Sequence, residues 1–176
     1  QAFGAFALDA NTTGYYNCAY GYAALSANVS GNYNVALGGR GILDSCVSGH
    51  GNVAVGGYNT LGSLDDGDYN VAMGHLAGEA VVGGSYNTLI GRNAGKAIVD
   101  ADSNVCVGYN TAINITSGQV NTCVGVNAGN TLTTGSNNTL LGRDAAPSAA
   151  DVDNEITLGS SSVVTLRCQQ TSISAL

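Results

Sequence analysis

Four tyrosines, each followed directly by an asparagine, are the residues of this chain whose chemistry best suits ligand binding. They are Tyr16, Tyr33, Tyr69 and Tyr86. Aromatic rings cover the apolar face of a pyranose while amides and nearby carboxylates hydrogen-bond its hydroxyl groups, so this pairing favours glycan recognition. The same rings would also pack against one another along a sheet surface. Both interpretations remain open from the sequence.

The asparagines recur at a fixed spacing, and each is followed four residues later by a glycine. The eight are Asn17, Asn34, Asn52, Asn70, Asn87, Asn104, Asn121 and Asn138. Successive copies are 17 or 18 residues apart. Identical amides stacked at this repeat donate to and accept from one another, which satisfies buried polar groups. We interpret the asparagines as a structural ladder and not as a ligand site.

The remaining polar residues indicate neither catalysis nor metal binding. His50 and His75 have no cysteine or carboxylate set at zinc spacing. The acidic stretches 65–68 and 151–155 contain ligands for a hard cation, but we interpret them as solvated loops. No arrangement of serine, histidine and acid can be argued from position. We therefore expect a protein that is not an enzyme and that uses no metal or cofactor.

We call the glycine four residues after each of these asparagines the frame glycine. The residues just before each frame glycine favour short strands. Val35-Ala36-Leu37 and Val53-Ala54-Val55 are examples of triplets rich in β-branched and aliphatic residues, with turn-forming residues on both sides. With 26 glycines among 176 residues, little of the chain would sustain a helix. A fixed repeat of this length is typical of a stack in which each unit contacts its neighbours. The sequence predicts an all-β fold, a parallel β-solenoid (β-roll or β-helix) of about ten 17–18-residue rungs over residues 1–159.

Two further columns of small residues accompany the asparagines. Glycine recurs three residues before the asparagine in seven of the eight rungs, and Ala101 replaces it in the other. This predicts either a positive φ or a corner with room for no side chain. Alanine recurs three residues after the frame glycine, at Ala7, Ala24, Ala77, Ala94, Ala128 and Ala145. We expect these alanines to face a narrow interior from a returning strand.

The strands are apolar on both faces, which predicts association. In a pleated strand Val35 and Leu37 share one face and Ala36 takes the other, and all three are apolar. A coil of this size buries only one face of such a strand, so the other needs cover. We expect a homo-oligomer, most simply a homotrimer.

Charge argues against nucleic acid and membrane as partners. The net charge is −7 with five basic residues, and these form no basic stripe along the sequence. A chain of this kind does not neutralise phosphates, so nucleic acid and anionic membrane surfaces are excluded. No run of 18 apolar residues is present, so membrane insertion is not expected.

The five cysteines do not form close pairs along the chain. Cys106 and Cys123 hold equivalent positions in adjacent rungs, where other rungs have alanine or leucine. We interpret them as small buried apolar residues. A disulfide between these stacked neighbours is the alternative.

The C-terminal part of the chain contains three segments with a recognisable pattern: residues 133–142, residues 154–159, and the stretch from Thr165-Leu166-Arg167-Cys168 to Leu176. These segments resemble the distal part of bacteriophage tail fibres, in particular those of marine and cyanobacterial phages. It implies a trimeric fibre in which this segment precedes an endosialidase-type intramolecular chaperone that is then cleaved off. On that basis residues 160–176 form a C-terminal cap or neck, and Ala175-Leu176 is where such a cut would leave the chain.

From these features we expect a structural and adhesive tail-fibre segment in the virion, outside the cell. The expected partners are two sister chains, a bacterial surface glycan or envelope receptor, and other tail proteins. The alternative is a bacterial trimeric adhesin head, or a self-assembling extracellular filament subunit, at the bacterial cell surface. Adhesin heads also stack short rungs with alanine and glycine in a fixed frame.

Overall fold

The computed structural model describes residues 1–163 and residue 165, and within them it contains strands and turns but no helix. Each rung contributes one short strand. The strands are β1 (Ala2–Phe3), β2 (Cys18–Tyr22), β3 (Val35–Arg40), β4 (Val53–Tyr58), β5 (Val71–Met73), β6 (Thr88–Ile90), β7 (Val105–Val107), β8 (Thr122–Val124), β9 (Thr139–Leu141) and β10 (Ile156–Leu158).

The ten strands form one parallel sheet in the order of the sequence. Each strand pairs with the next at the repeat spacing, as where Val71 pairs with Thr88 and Ala72 with Leu89. The chain is therefore an all-β parallel β-solenoid of about nine turns, and the predicted fold is confirmed. Strands β3 and β4 are longer because their rungs hold one extra residue, and the register shifts where β2 meets β3.

The centre of each strand forms one wall of the core. From β2 to β9 the second residue of each strand is buried while the residues on either side of it are half-buried or exposed. Ala36, Ala72 and Leu89 are fully buried in this way. The outward face remains apolar and uncovered, with Met73 43% exposed and Leu158 46% exposed.

The rest of each rung is a run of turns and not the expected returning strand. Five of the six predicted alanines do lie in the core, fully buried, and Ala7 is partly buried against it. The strand prediction was wrong because alternate residues here have a positive φ, as in Ala23 (55°) and Leu25 (52°). Such alternation turns the backbone back on itself, so the chain closes the rung without a second straight side.

The two glycine columns have different physical causes. Frame glycines such as Gly108 have a positive φ of 142°, and a Cβ there would clash with the backbone of Gly125 in the next rung. The glycines three residues before the asparagine, such as Gly118, do not have a positive φ. A Cβ on Gly118 would instead meet the carbonyl oxygen of Gly135. The second column is therefore explained by close approach of successive rungs.

Cysteine burial agrees with the apolar interpretation. Cys106 and Cys123 are Cα partners in adjacent strands, both are buried, and both are free thiols in the structure. Cys46 is likewise buried and free. Cys168 lies outside the described residues, as does most of the predicted closing segment 160–176.

Candidate functional site

The asparagine ladder runs through the interior of the rod beside the amino ends of the strands. Asn70 shows the pattern: its backbone N–H donates to Oδ1 of Asn52 at 2.9 Å, and its Nδ2 donates to the carbonyl oxygen of Gly84 at 2.8 Å. Its own Oδ1 accepts from the N–H of Asn87 at 3.0 Å. The amide therefore joins three successive rungs.

All eight asparagines are at least 94% buried, since Asn17, the most exposed, retains 6% of its accessible surface. The principal acceptor for each Nδ2 is a backbone carbonyl three residues before the next ladder position, which is an asparagine for seven of the eight and Glu155 for Asn138. The sequence did not reveal this partner. Direct amide-to-amide contacts, such as Asn87 Nδ2 to Asn70 Oδ1 at 3.1 Å, are secondary. The ladder thus satisfies both its own side chains and the backbone at the glycine corner.

The tyrosine column consists of the residue immediately before each ladder position. Its members are Tyr16, Tyr33, Gly51, Tyr69, Tyr86, Ser103, Val120, Asn137 and Asn154. The four tyrosines are 56–75% exposed. They form two stacked pairs, Tyr16 with Tyr33 at 5.2 Å between ring centroids and Tyr69 with Tyr86 at 5.5 Å. The cross-rung packing is therefore present, and one face of Tyr86 remains without an aromatic partner among the described residues.

The backbone of this column has a left-handed conformation that does not favour tyrosine. The φ angles are 58° at Tyr16, 60° at Tyr33, 55° at Tyr69 and 61° at Tyr86. Glycine and asparagine adopt this conformation at least cost, and both occur elsewhere in the column. The tyrosines therefore occupy these positions at some cost in backbone conformation.

Gly51 divides the tyrosines into the two pairs. A Cβ on Gly51 would lie 2.7 Å from Cδ1 of Tyr69, so the ring of Tyr69 rests directly against this glycine. No ring lies between Tyr33 and Tyr69 in the column. Tyr33 contacts two rings, stacking on Tyr16 and meeting Tyr15 edge to face at 5.5 Å, and 56% of its surface is exposed.

The acidic column lies one residue earlier, two residues before the ladder. Its members are Tyr15, Asn32, His50, Asp68, Ser85, Asp102, Gln119, Ser136 and Asp153. Here Asp68 Oδ1 accepts from the N–H of His50, and Asp102 Oδ1 accepts from that of Ser85, each at 2.7 Å. These carboxylates satisfy the backbone of the preceding rung. Within residues 1–163 and 165 no three metal-ligating side chains converge.

The arginine column lies at the opposite edge of the sheet, at or just beyond the carboxyl ends of the strands. Its members are Tyr22, Arg40, Tyr58, His75, Arg92, Tyr109, Val126 and Arg143. The rings of Tyr58 and His75 stack at 5.9 Å, and Arg92 Nη1 donates to the Tyr109 hydroxyl at 3.4 Å. Folding aligns three arginines that are 51 or 52 residues apart in the sequence.

The buried thiols are not poised for nucleophilic chemistry. Burial raises the pKa of Cys46 to about 11 and that of Cys123 to about 12. Burial also raises the pKa of Cys106 well above its ordinary value. The thiols are thus protonated at neutral pH, and a thiolate is the nucleophilic form.

Comparison of the chain with known proteins gives no match to a family model, to a curated protein or to a solved structure. Among the described residues there is no helix with the length and apolar character needed to cross a membrane.

Proposed function

We propose that this chain is a structural and adhesive segment of a bacteriophage tail fibre. In this proposal it forms a homotrimer of parallel β-solenoids, which presents a non-catalytic surface to a bacterial surface glycan or envelope receptor and joins other tail proteins in the virion.

The observation that carries the proposal is the uncovered apolar face of the sheet. Two residues of each strand from β2 to β10 point outward, and they are mostly valine, leucine, isoleucine, threonine or methionine. Exposed fractions of 37% at Leu141 and 43% at Met73 leave apolar surface along the whole sheet. A continuous apolar surface of this kind marks an interaction site, and sister chains supply an equally long partner.

A regular rod also suits a fibre, because identical rungs give one long surface with every column in register. The resemblance of residues 133–142 and 154–159 to tail fibres supports this assignment over the adhesin head and the filament subunit. The coding sequence that follows Leu176 discriminates these choices. A chaperone would support the fibre, and a membrane-anchoring barrel would support the adhesin.

The tyrosine column is the proposed glycan contact. Its rings are exposed and occupy a backbone conformation that disfavours them, and one face of Tyr86 has no aromatic partner among the described residues. The apolar face of a pyranose packs on such a ring.

Oligomerisation is tested by light scattering and sedimentation velocity on the wild-type chain. The expected species has three times the chain mass. A monomer at micromolar concentration would contradict the proposed trimer.

Glycan contact is tested with Tyr86→Asn, measured as retention of the protein on immobilised envelope polysaccharide of a host strain. Asparagine suits the positive φ, so the fold is expected to persist while retention falls. Val120→Asn is the matched control, because Val120 belongs to the same column with φ of 58° and has no ring. Equal retention by wild type and Tyr86→Asn would contradict the glycan contact and leave cross-rung packing as the role of the tyrosines.

A further inference from the structure

The charges at the two edges of the sheet are complementary and lie on matching rungs. The arginine column lies at or just after the carboxyl ends of the strands, and the acidic column precedes their amino ends. We propose that copies of this chain associate side by side about an axis parallel to the rod, with the arginine column of each copy against the acidic column of the next. This rests on the proposed oligomer and adds which edges meet.

The strand direction determines which edges meet. All ten strands are parallel, so they cross the rod in one direction. A rotation axis parallel to the rod makes the strands of every copy circulate around it in the same sense. When the apolar sheet faces turn toward this axis, the carboxyl ends of one sheet point toward the amino ends of the next. Two copies or three copies give the same pairing of edges.

The same axis keeps equal rungs of all copies at equal height. Arg92 and Asp102 lie in one rung, and so do Arg143 and Asp153. In both pairs the acid follows the arginine by ten residues of a 17-residue rung. With a rise of about 4.8 Å per rung, the arginine of one copy and the aspartate of the next then differ by about 3 Å in position along the rod axis. An arginine side chain spans this difference.

Arg40 and His75 are the other basic residues of the column. His75 follows Asp68 by seven residues, which corresponds to about 2 Å in height, but its ring stacks on Tyr58. Arg40 has His50 in its own rung, and Asp68 lies about 8 Å further along the rod. Arg92 and Arg143 therefore give the sharpest prediction of register.

The charged groups of the best-matched pair remain available for a second copy. Among the described residues Arg92 has no carboxylate within 4.0 Å, since the only ion pairs there are Lys96 with Glu79 and Arg143 with Asp144. Asp102 uses Oδ1 for the N–H of Ser85, and its Oδ2 has no hydrogen-bond partner in that part of the chain. Complementary charges at the rim of an apolar interface select partner and register.

The test is a charge exchange measured by sedimentation velocity on the full chain at low salt. Arg92→Glu alone and Asp102→Arg alone place like charges together, and each is expected to raise the concentration needed for assembly about tenfold. The double variant restores opposite charges and is expected to assemble at close to the wild-type concentration. Lys96→Glu is the matched control, because it makes the same change in net charge away from both edges.

Circular dichroism and thermal melting establish that each variant is folded. If a variant at position 92 or 102 fails to fold, the same charge exchange is made with Arg143→Glu and Asp153→Arg. Because the Arg143 side chain is exposed, its substitution is expected to leave the fold intact. A double variant that assembles no better than the single variants overturns the proposed register, as does Lys96→Glu weakening assembly equally. Both results leave the oligomer itself intact. A wild-type chain that remains monomeric overturns the oligomer and the register together.

Discussion

Gly95 lies directly against Leu89 in the interior of one rung, so that a Cβ on Gly95 would lie 2.6 Å from Leu89 Cδ2. Three earlier rungs reverse this arrangement. Where the strand supplies Ala19, Ala36 or Ala54, the turn supplies a fully buried leucine at Leu25, Leu43 or Leu61. At this pair of facing positions the large side chain therefore comes from the strand in the rung of Leu89 and from the turn in the three earlier rungs.

We predict that Gly95→Ala destabilises the fold by about 3 kcal/mol, because the new Cβ clashes with Leu89 and the φ of 57° is left-handed. Leu89→Ala is expected to cost about 3 kcal/mol through the cavity that it leaves. The double variant Leu89→Ala with Gly95→Leu recreates the arrangement of the earlier rungs and is expected to cost clearly less than the sum. Urea unfolding of the four proteins measures this coupling. Additive losses would contradict the exchange of core volume.

Removing one ladder amide is expected to be among the most destabilising single changes. Asn70→Ala leaves the N–H of Asn87 and the carbonyl oxygen of Gly84 buried without partners, at a cost of about 4 kcal/mol. The control is Asn114→Ala, which removes one exposed hydrogen bond to the carbonyl oxygen of Asn130 and is expected to cost below about 1 kcal/mol. Chemical denaturation compares the two, and similar losses would argue against a special role for the ladder.

The strands and the ladder could be predicted from the sequence because both recur in every rung. A triplet such as Val71-Ala72-Met73 before a glycine needs no tertiary information to be assigned as a strand. The turns could not be predicted in the same way. Leu25 and Tyr33 adopt positive φ although neither residue favours it, so only the packing of successive rungs shows their conformation.

The arginine column was missed for a different reason. Arg40 and Arg92 are separated by a rung with an inserted glycine, so a constant step of 17 does not align them. Counting from each frame glycine fails as well, because Gly39 precedes Arg40 while Arg92 follows its glycine directly. The strand pairing of Tyr22 with Arg40 resolves the register.

Leu76→Asn is predicted to stabilise the protein by about 1 kcal/mol. Leu76 has φ of 60°, which asparagine tolerates better, and it precedes Asn93 in a second, shorter column of amides. Asn93 donates to Oδ1 of Asn110 at 2.8 Å, but its own Oδ1 is buried without a partner. A new amide at position 76 supplies the missing donor. Urea unfolding of Leu76→Asn and Leu76→Ala measures the effect, and equal stability of the two variants would contradict it.

Alkaline pH is predicted to weaken the fold through its buried thiols. The folded-state pKa values of Cys46 and Cys123, about 11 and about 12, lie above the ordinary value of 9.0 because burial disfavours the thiolate. Between these values the unfolded chain releases protons that the folded chain retains, so the free energy of unfolding falls as pH rises above 9.0. The decrease approaches about 1.4 kcal/mol per pH unit for each such thiol.

Urea unfolding of the wild type is therefore expected to give a lower free energy of unfolding at pH 10 than at pH 8. The triple variant Cys46→Ala, Cys106→Ala, Cys123→Ala is expected to lose much less stability over the same range. Alanine occupies the position of Cys106 in other rungs, so this variant is expected to fold. The wild type and the alanine variant share all tyrosines and lysines, which removes the titration of those groups from the comparison. The same alkaline loss in both proteins would show that the buried thiols do not cause it.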